Sequence, residues 1–143
     1  MSVAHLIHGR KLIPFVEEER KGSFIRMNIG IDIASLKKFK RIKSSDFKHW
    51  RRVFTACEWK YAFSAGGKSA ERLAGIFAAK EAAMKAFGKV GVKNFREFEI
   101  SHTPSGAPKL NKPSPFGKEP GKPRSRVSIA HNQDTAIAVV LKT

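Results

Sequence analysis

From about Ser69 to Phe87 the chain carries its longest regular pattern, and this pattern constrains the fold more than any other. The segment is rich in Ala, Leu, Lys and Glu, all good helix formers, and Gly88 stands where a helix closes. Leu73, Ile76, Phe77, Ala83, Met84 and Phe87 recur at helical spacing, so one long helix must lay an apolar stripe against a core. Lys80 falls near the angular centre of that stripe. An ammonium there must either snorkel out along its stem or meet an anion. The adjacent face holds Ala74, Ala78, Glu81, Ala82 and Lys85. Glu81 and Lys85 are four apart with the carboxylate first, the favourable order for a helical pair. They are either an ordinary surface pair or, among small alanines that leave room for a ligand, part of a site.

The remaining elements are shorter. Met27 to Ile33 alternates as a strand does, with Ile29, Ile31 and Ile33 on one side and Gly30 and Asp32 on the other. Residues 36–43 predict a turn or two of basic amphipathic helix. Thr55 and Glu58 form a capping box that opens a helix running to about Phe63. Phe95 to Ser101 predicts a strand, residues 103–106 a turn, and Ala107 to Leu110 a short strand after it. Val127 to Ala130 and Thr135 to Leu141 predict a closing hairpin. Residues 1–26 show no clear period and are expected to be an extension, with the domain over 27–143. Residues 111–126, with four of the seven prolines, are expected to be a loop.

Charge narrows the function classes. Lys and Arg number 28 against 12 Asp and Glu, a net charge of +16, so the surface seeks a polyanion. The stretch from Lys37 to Lys60 has nine basic residues with Phe39, Phe47, Trp50 and Phe54 interleaved. Such aromatics suit nucleic-acid stacking and the inner side of short amphipathic helices equally well. A single cysteine, Cys57, excludes an intrachain disulfide framework. No apolar run approaches membrane-spanning length, and the chain is expected to be soluble and cytoplasmic. At 143 residues the chain is too short to bury a large two-lobed site alone, which keeps a site shared between subunits in view.

Two carboxylates stand out chemically. Aspartate is depleted in strands, so Asp32 within Ile-Gly-Ile-Asp-Ile is either a strand-end cap or a ligand for a hard cation. Magnesium takes one or two protein carboxylates and fills its shell with phosphate oxygens and water, a count that Asp32 and Glu81 supply. His131, at a predicted strand end, is either a solvated turn histidine or a phosphate contact. No zinc spacing, phosphate-binding glycine loop or dinucleotide fingerprint is present.

Three segments together resemble the holo-acyl-carrier-protein synthase family of bacterial 4'-phosphopantetheinyl transferases. They are Asn28-Ile-Gly-Ile-Asp-Ile33, the run Arg72-Leu-Ala-Gly-Ile-Phe-Ala-Ala-Lys-Glu-Ala-Ala-Met-Lys-Ala-Phe-Gly88, and Val127-Ser-Ile-Ala-His131 with its following strand. Phe54, Thr55 and Glu58 also fit, and the resemblance covers Met27 to about Lys142. It implies an α+β fold with an antiparallel sheet wrapped around one long helix, and a homotrimer with coenzyme A clefts between subunits. Asp32 and Glu81 would bind magnesium against the pyrophosphate of coenzyme A, with Lys85 on the phosphate; these three are the implied catalytic residues. Phe77, Lys80 and the turn Ser105, Gly106, Ala107 and Pro108 would line the nucleotide cleft, and His131 would approach the 3'-phosphate. A carrier serine attacks the β-phosphate and adenosine 3',5'-bisphosphate leaves, with Glu81 or a water near Asp32 as the base. Lys37, Lys38, Lys48, Arg51 and Arg52 would dock an acidic acyl carrier protein. The resemblance implies a role in fatty acid synthesis, with neither nucleic acid nor membrane as a partner.

Three positions depart from the family pattern. Ser35 stands where Glu is frequent, Ile76 where an Arg is common, and Lys38 where an Arg is typical. The last keeps charge and loses bidentate geometry. A small basic nucleic-acid-binding domain is the rival from another class, and it leaves Asp32 and the Lys80–Glu81–Lys85 face unexplained. Transferases that serve polyketide or peptide synthetases are about twice this length.

Overall fold

Gly30 sets how closely the first strand meets the long helix. The computed structural model describes residues 27–64, 66–88, 92–111 and 125–143; the expected extension over 1–26 and nearly all of the proline-rich stretch lie outside the described residues. Strand β1 (Asn28–Ser35) crosses a helix that the order of elements makes α3 (Ser69–Ala86). A Cβ built on Gly30 would stand 1.8 Å from the carbonyl oxygen of Ala82 and 2.7 Å from the amide nitrogen of Ala86. Only a residue without a side chain permits that approach. The alanines of α3 complete it, since Ala78, Ala82 and Ala86 are all buried. Strand alternation then turns the isoleucines outward: Ile29, Ile31 and Ile33 are 64%, 53% and 66% exposed.

Strand β1 is the edge of an antiparallel sheet ordered β1–β5–β4, with β4 at Ser125–His131 and β5 at Thr135–Lys142. The register sets Asp32 opposite Ala138 and Ile33 opposite Ile137. The β4–β5 turn is held by the Asn132 side-chain oxygen, which accepts from the amides of Asp134 (2.9 Å) and Thr135 (2.8 Å). A second antiparallel pair, β2 (Glu99–His102) and β3 (Pro108–Asn111), is joined by a turn in which Gly106 adopts φ 87°. That left-handed backbone is one glycine reaches without a Cβ penalty. The sheet and hairpin pack around α3, the arrangement expected of this α+β fold. Among the described residues no helix is long and apolar enough to cross a membrane.

Between β1 and α3 lie two short helices, α1 (Phe47–Trp50) and α2 (Ala56–Phe63). The capping box forms as expected: Thr55 Oγ1 accepts from the Glu58 amide (3.2 Å) and Glu58 Oε2 from the Thr55 amide (2.8 Å). The aromatics interleaved with the basic residues face inward. Phe39 lies 5.7 Å from Phe77 and 6.0 Å from Trp50 by ring centroids, and Phe39 and Phe54 are fully buried.

Two expectations are corrected. Residues 36–43 do not extend into an α-helix; a single 3₁₀ turn, Leu36–Lys38, forms instead. Leu36 and Phe39 are both buried, and their three-residue spacing suits a 3₁₀ turn. The strand expected from Phe95 begins only at Glu99, after a 3₁₀ stretch over Val92–Glu97. Phe95 and Phe98 are both buried, which strand alternation would forbid at that spacing.

Candidate active site

Strand β1 and the second half of α3 bring Asp32, Glu81 and Lys85 together. Lys85 Nζ donates to Asp32 Oδ1 at 2.8 Å and to the Ile31 carbonyl at 3.0 Å. The lysine side chain is 46% exposed and the aspartate 15%, so the pair is open to a ligand. Glu81 lies one turn before Lys85. Partial burial, and then the charge of Asp32, raise its carboxyl above the usual range; Lys85 and Lys38 pull it back. Two carboxylates therefore feel each other across the strand–helix contact, which is the repulsion a bound cation relieves. Among the described residues no cluster of three or more His, Cys, Asp or Glu is arranged to hold a metal. Two hard oxygen donors without imidazole or thiolate suit magnesium and do not suit zinc.

Elsewhere on the helix, a cleft of about 290 Å³ opens along the first half of α3. Its walls are Lys68, Glu71, Arg72, Gly75 and Ile76 from α3 and its approach, Tyr61 from α2, His102, Gly106 and Pro108 from the β2–β3 hairpin, and Ile129 and His131 from β4. Tyr61 and His102 stack with ring centroids 3.9 Å apart and planes 13° from parallel. The Arg72 guanidinium lies 5.0 Å from the Tyr61 centroid. Its Nη1 donates to the Tyr61 carbonyl and to Ser64 Oγ, both at 3.1 Å, and to the Ser64 carbonyl. His131 Nε2 meets Glu71 Oε1 at 3.2 Å. Burial, then the charge of Arg72, lowers the His102 imidazole from its ordinary value. Lys68 and Arg72 set two cations against one carboxylate, which makes the wall anion-receptive.

The residues anticipated from sequence divide between these places. Gly106, Pro108 and His131 line the cleft. Ser105 sits on the same turn, its hydroxyl 2.8 Å from that of Thr103, and is not among the lining residues. Phe77 packs in the core against Phe39 and Phe95, at 5.7 and 5.3 Å. Lys80 requires correction as a nucleotide contact: it is 0% exposed and its ammonium bonds Glu58 at 2.7 Å. The anion in the core, one of the two fates its position in the stripe allowed, is the one it meets. Lys37, Lys38, Lys48, Arg51 and Arg52 are all exposed.

Sequence reasoning missed Tyr61, Lys68, Glu71, Arg72, His102 and Ile129. One signal was present, Gly75 inside a helix, which weakens the helix and so flags a close neighbour. That neighbour is the Ile129 side chain, whose methyl would lie 3.1 Å from a Cβ at position 75. The two places share no residue. From Arg72 to Glu81 is nine residues, about half a turn around α3 and roughly 13 Å along it.

Comparison with known proteins gives this geometry a family. The family model of the 4'-phosphopantetheinyl transferase superfamily matches residues 28–140. A holo-[acyl-carrier-protein] synthase of Caldicellulosiruptor bescii is 37% identical over 117 residues, covering 80% of this chain and 95% of that protein. The crystal structure of a holo-(acyl-carrier-protein) synthase from Bacillus anthracis in complex with CoA (3',5'-ADP) matches with a TM-score of 0.65 at 30% identity, covering 82% of this chain and 97% of that one. The Helicobacter pylori holo-[acyl-carrier-protein] synthase in complex with coenzyme A matches with a TM-score of 0.65 at 30% identity, covering 80% and 99%. With the family model spanning nearly the whole of the described fold, this chain belongs to the 4'-phosphopantetheinyl transferase superfamily.

Proposed function

We propose that this chain transfers the 4'-phosphopantetheine group of coenzyme A to a serine of apo acyl carrier protein, in the cytoplasm and in support of fatty acid synthesis. The observation that carries the reading is the convergence of Asp32, Glu81 and Lys85 in a member of this superfamily. Asp32 and Glu81 would hold magnesium, which when bound neutralises charge on the pyrophosphate. Lys85 adds a cation already oriented by the Ile31 carbonyl, so stabilising charge on the transferred phosphoryl group demands little reorganisation. The serine oxygen forms its bond to the β-phosphorus as the bridging bond to the α-phosphate breaks, releasing adenosine 3',5'-bisphosphate. Glu81, or a water ordered beside Asp32, takes the serine proton.

The cleft suits the nucleotide end of coenzyme A. Gly106 and Pro108 offer a backbone wall, Lys68 and Arg72 offer cations to phosphate, and His131 offers a ring nitrogen beside them. Lys37, Lys38, Lys48, Arg51 and Arg52 form the docking face for an acidic carrier. The charge of Lys38 reaches Glu81, so that face runs up to the carboxylates.

The assembly we propose is a homotrimer of the 27–143 domain, with residues 1–26 as an extension and each site at a seam between copies. Two observations support it. The cleft and the carboxylates lie at different ends and sides of α3, so a second copy can complete each half. The exposed isoleucines of β1, with Ile137 opposite Ile33, make an apolar face of the kind that subunits cover.

The test is transfer from a fluorescent coenzyme A analogue to apo carrier protein, with magnesium and then with a chelator. We expect labelling that the chelator abolishes. No labelling by the wild-type protein, together with tight binding to DNA or RNA, would sink the reading.

A further inference from the structure

Glu58 and Lys80 are the only buried charged residues among those described, and the reaction proposed above uses neither. Burying two ions costs several kcal/mol each before their attraction returns any of it, and an apolar pair of the same volume is often as stable or more so. What the pair supplies here is geometry. Glu58 Oε2 accepts from Lys80 Nζ at 2.7 Å and from the Thr55 amide at 2.8 Å, while Oε1 accepts from the Ile100 amide at 2.8 Å. One carboxylate thus ties the start of α2, the middle of α3 and strand β2.

The position of the tie on α3 matters. Ala82, against which Gly30 packs, is two residues beyond Lys80, about 200° around the helix and so nearly on its opposite side. The helix is held between strand β1 on one side and Glu58 on the other. Glu81 and Lys85 project from the flank between them. The tether of Lys85 to Asp32 is partly exposed and weak, and cannot by itself hold a helix of 18 residues. A roll of about 20° would move a side-chain tip on α3 by roughly 2 Å. A misplacement of about 1 Å can cost about 100-fold in rate.

We propose that Lys80 and Glu58 are a positioning pair for this transfer, a sealed tie that sets the roll of α3 and so aims Glu81 and Lys85 at Asp32. The inference rests on the functional reading above, and its test separates the two. The double variant Glu58→Gln with Lys80→Met removes both charges and keeps one carbonyl oxygen, enough for the Ile100 amide, while the side-chain NH2 takes the place of the oxygen that accepts from the Thr55 amide. Measurements are the melting midpoint, Mn2+ affinity by electron paramagnetic resonance without substrates, and kcat and KM for both substrates. A folded double variant should lose at least about tenfold in kcat and bind Mn2+ at least about fivefold more weakly, with the carrier's KM unchanged because the docking face is untouched. A folded double variant with wild-type kcat and wild-type Mn2+ affinity overturns the proposal and leaves the pair a structural one. If the double variant does not fold, Glu58→Gln alone, which retains Lys80's acceptor, decides by the same two readouts measured below its melting midpoint. Wild-type protein that binds Mn2+ but labels no carrier would remove the functional reading, while the metal affinities would still judge the pair.

Discussion

Two lysines five positions apart on α3 each hold a carboxylate at nearly the same distance, Lys80 to Glu58 at 2.7 Å and Lys85 to Asp32 at 2.8 Å. In the first pair both side chains are 0% exposed; in the second they are 46% and 15% exposed. Burial pushes the Glu58 carboxyl up and the Lys80 ammonium down, and their mutual attraction offsets this only in part. Lys85 keeps water and a path for ligand. The same two chemical groups at the same separation therefore do different work. The sealed pair has no freedom to meet a substrate and fixes the backbone instead. The open pair fixes little and is available to a phosphate.

The comparison breaks most directly on the sealed side. Lys80→Met leaves a buried, unpaired carboxylate and should lower the unfolding free energy by about 3–5 kcal/mol, read by chemical denaturation. That is a large share of the roughly 5–15 kcal/mol available to a domain. A loss below about 1 kcal/mol would mean that the pair is not sealed. On the open side the balance should invert. Lys85→Met should change stability by less than about 1 kcal/mol. It should also lower kcat for carrier labelling by about 100-fold, or about 2.7 kcal/mol of transition-state stabilisation. If Lys85→Met unfolds the protein or leaves kcat intact, the contrast between the lysines fails.

A third cation, Lys38, tests whether the open site is continuous with the docking face. Lys38→Glu combined with Arg51→Glu should raise the carrier's KM about tenfold, about 1.4 kcal/mol, with coenzyme A's KM nearly unchanged. The opposite pattern would detach the basic face from the carrier.

How much of this was legible in the residue order follows the range of the interactions. The helix from Ser69, the capping box and the strand holding Asp32 rest on spacing within a few residues, and they form as expected. The pairing of Asp32 with Lys85 crosses 53 positions, and only the resemblance had put the two in one site. The partner of Lys80 is 22 positions away, and nothing in the apolar stripe points to Glu58, which already serves as a helix cap. Alternation divided the residues of β1 correctly but could not say which set faces in. The bulky row faces out because Gly30 must face a helix backbone that leaves no room for a Cβ. The cleft was least legible: Tyr61, Arg72, His102 and Ile129 come from four different elements, and their juxtaposition is purely tertiary.

His102 offers the smallest expected effect and an intermediate case between the two lysines. Its ring stacks on Tyr61, near Arg72, and among the described residues its Nδ1 is buried with no hydrogen-bond partner. Burial, and then the Arg72 charge, disfavours the imidazolium, so the folded-state pKa lies below the value of about 6.5 expected in the unfolded chain. Between those two values the unfolded state binds more protons than the folded one, so stability rises with pH across the window. The protein should therefore lose stability as pH falls from about 7 through 6.5 toward the lower folded value. His102→Phe keeps an aromatic ring against Tyr61 and removes both the titration and the orphaned nitrogen. Its melting midpoint should fall less steeply than the wild type's between about pH 7 and pH 5. Parallel curves for the two proteins would show that this imidazole, unlike the Lys80 ammonium, is not sealed enough for its charge state to be coupled to folding.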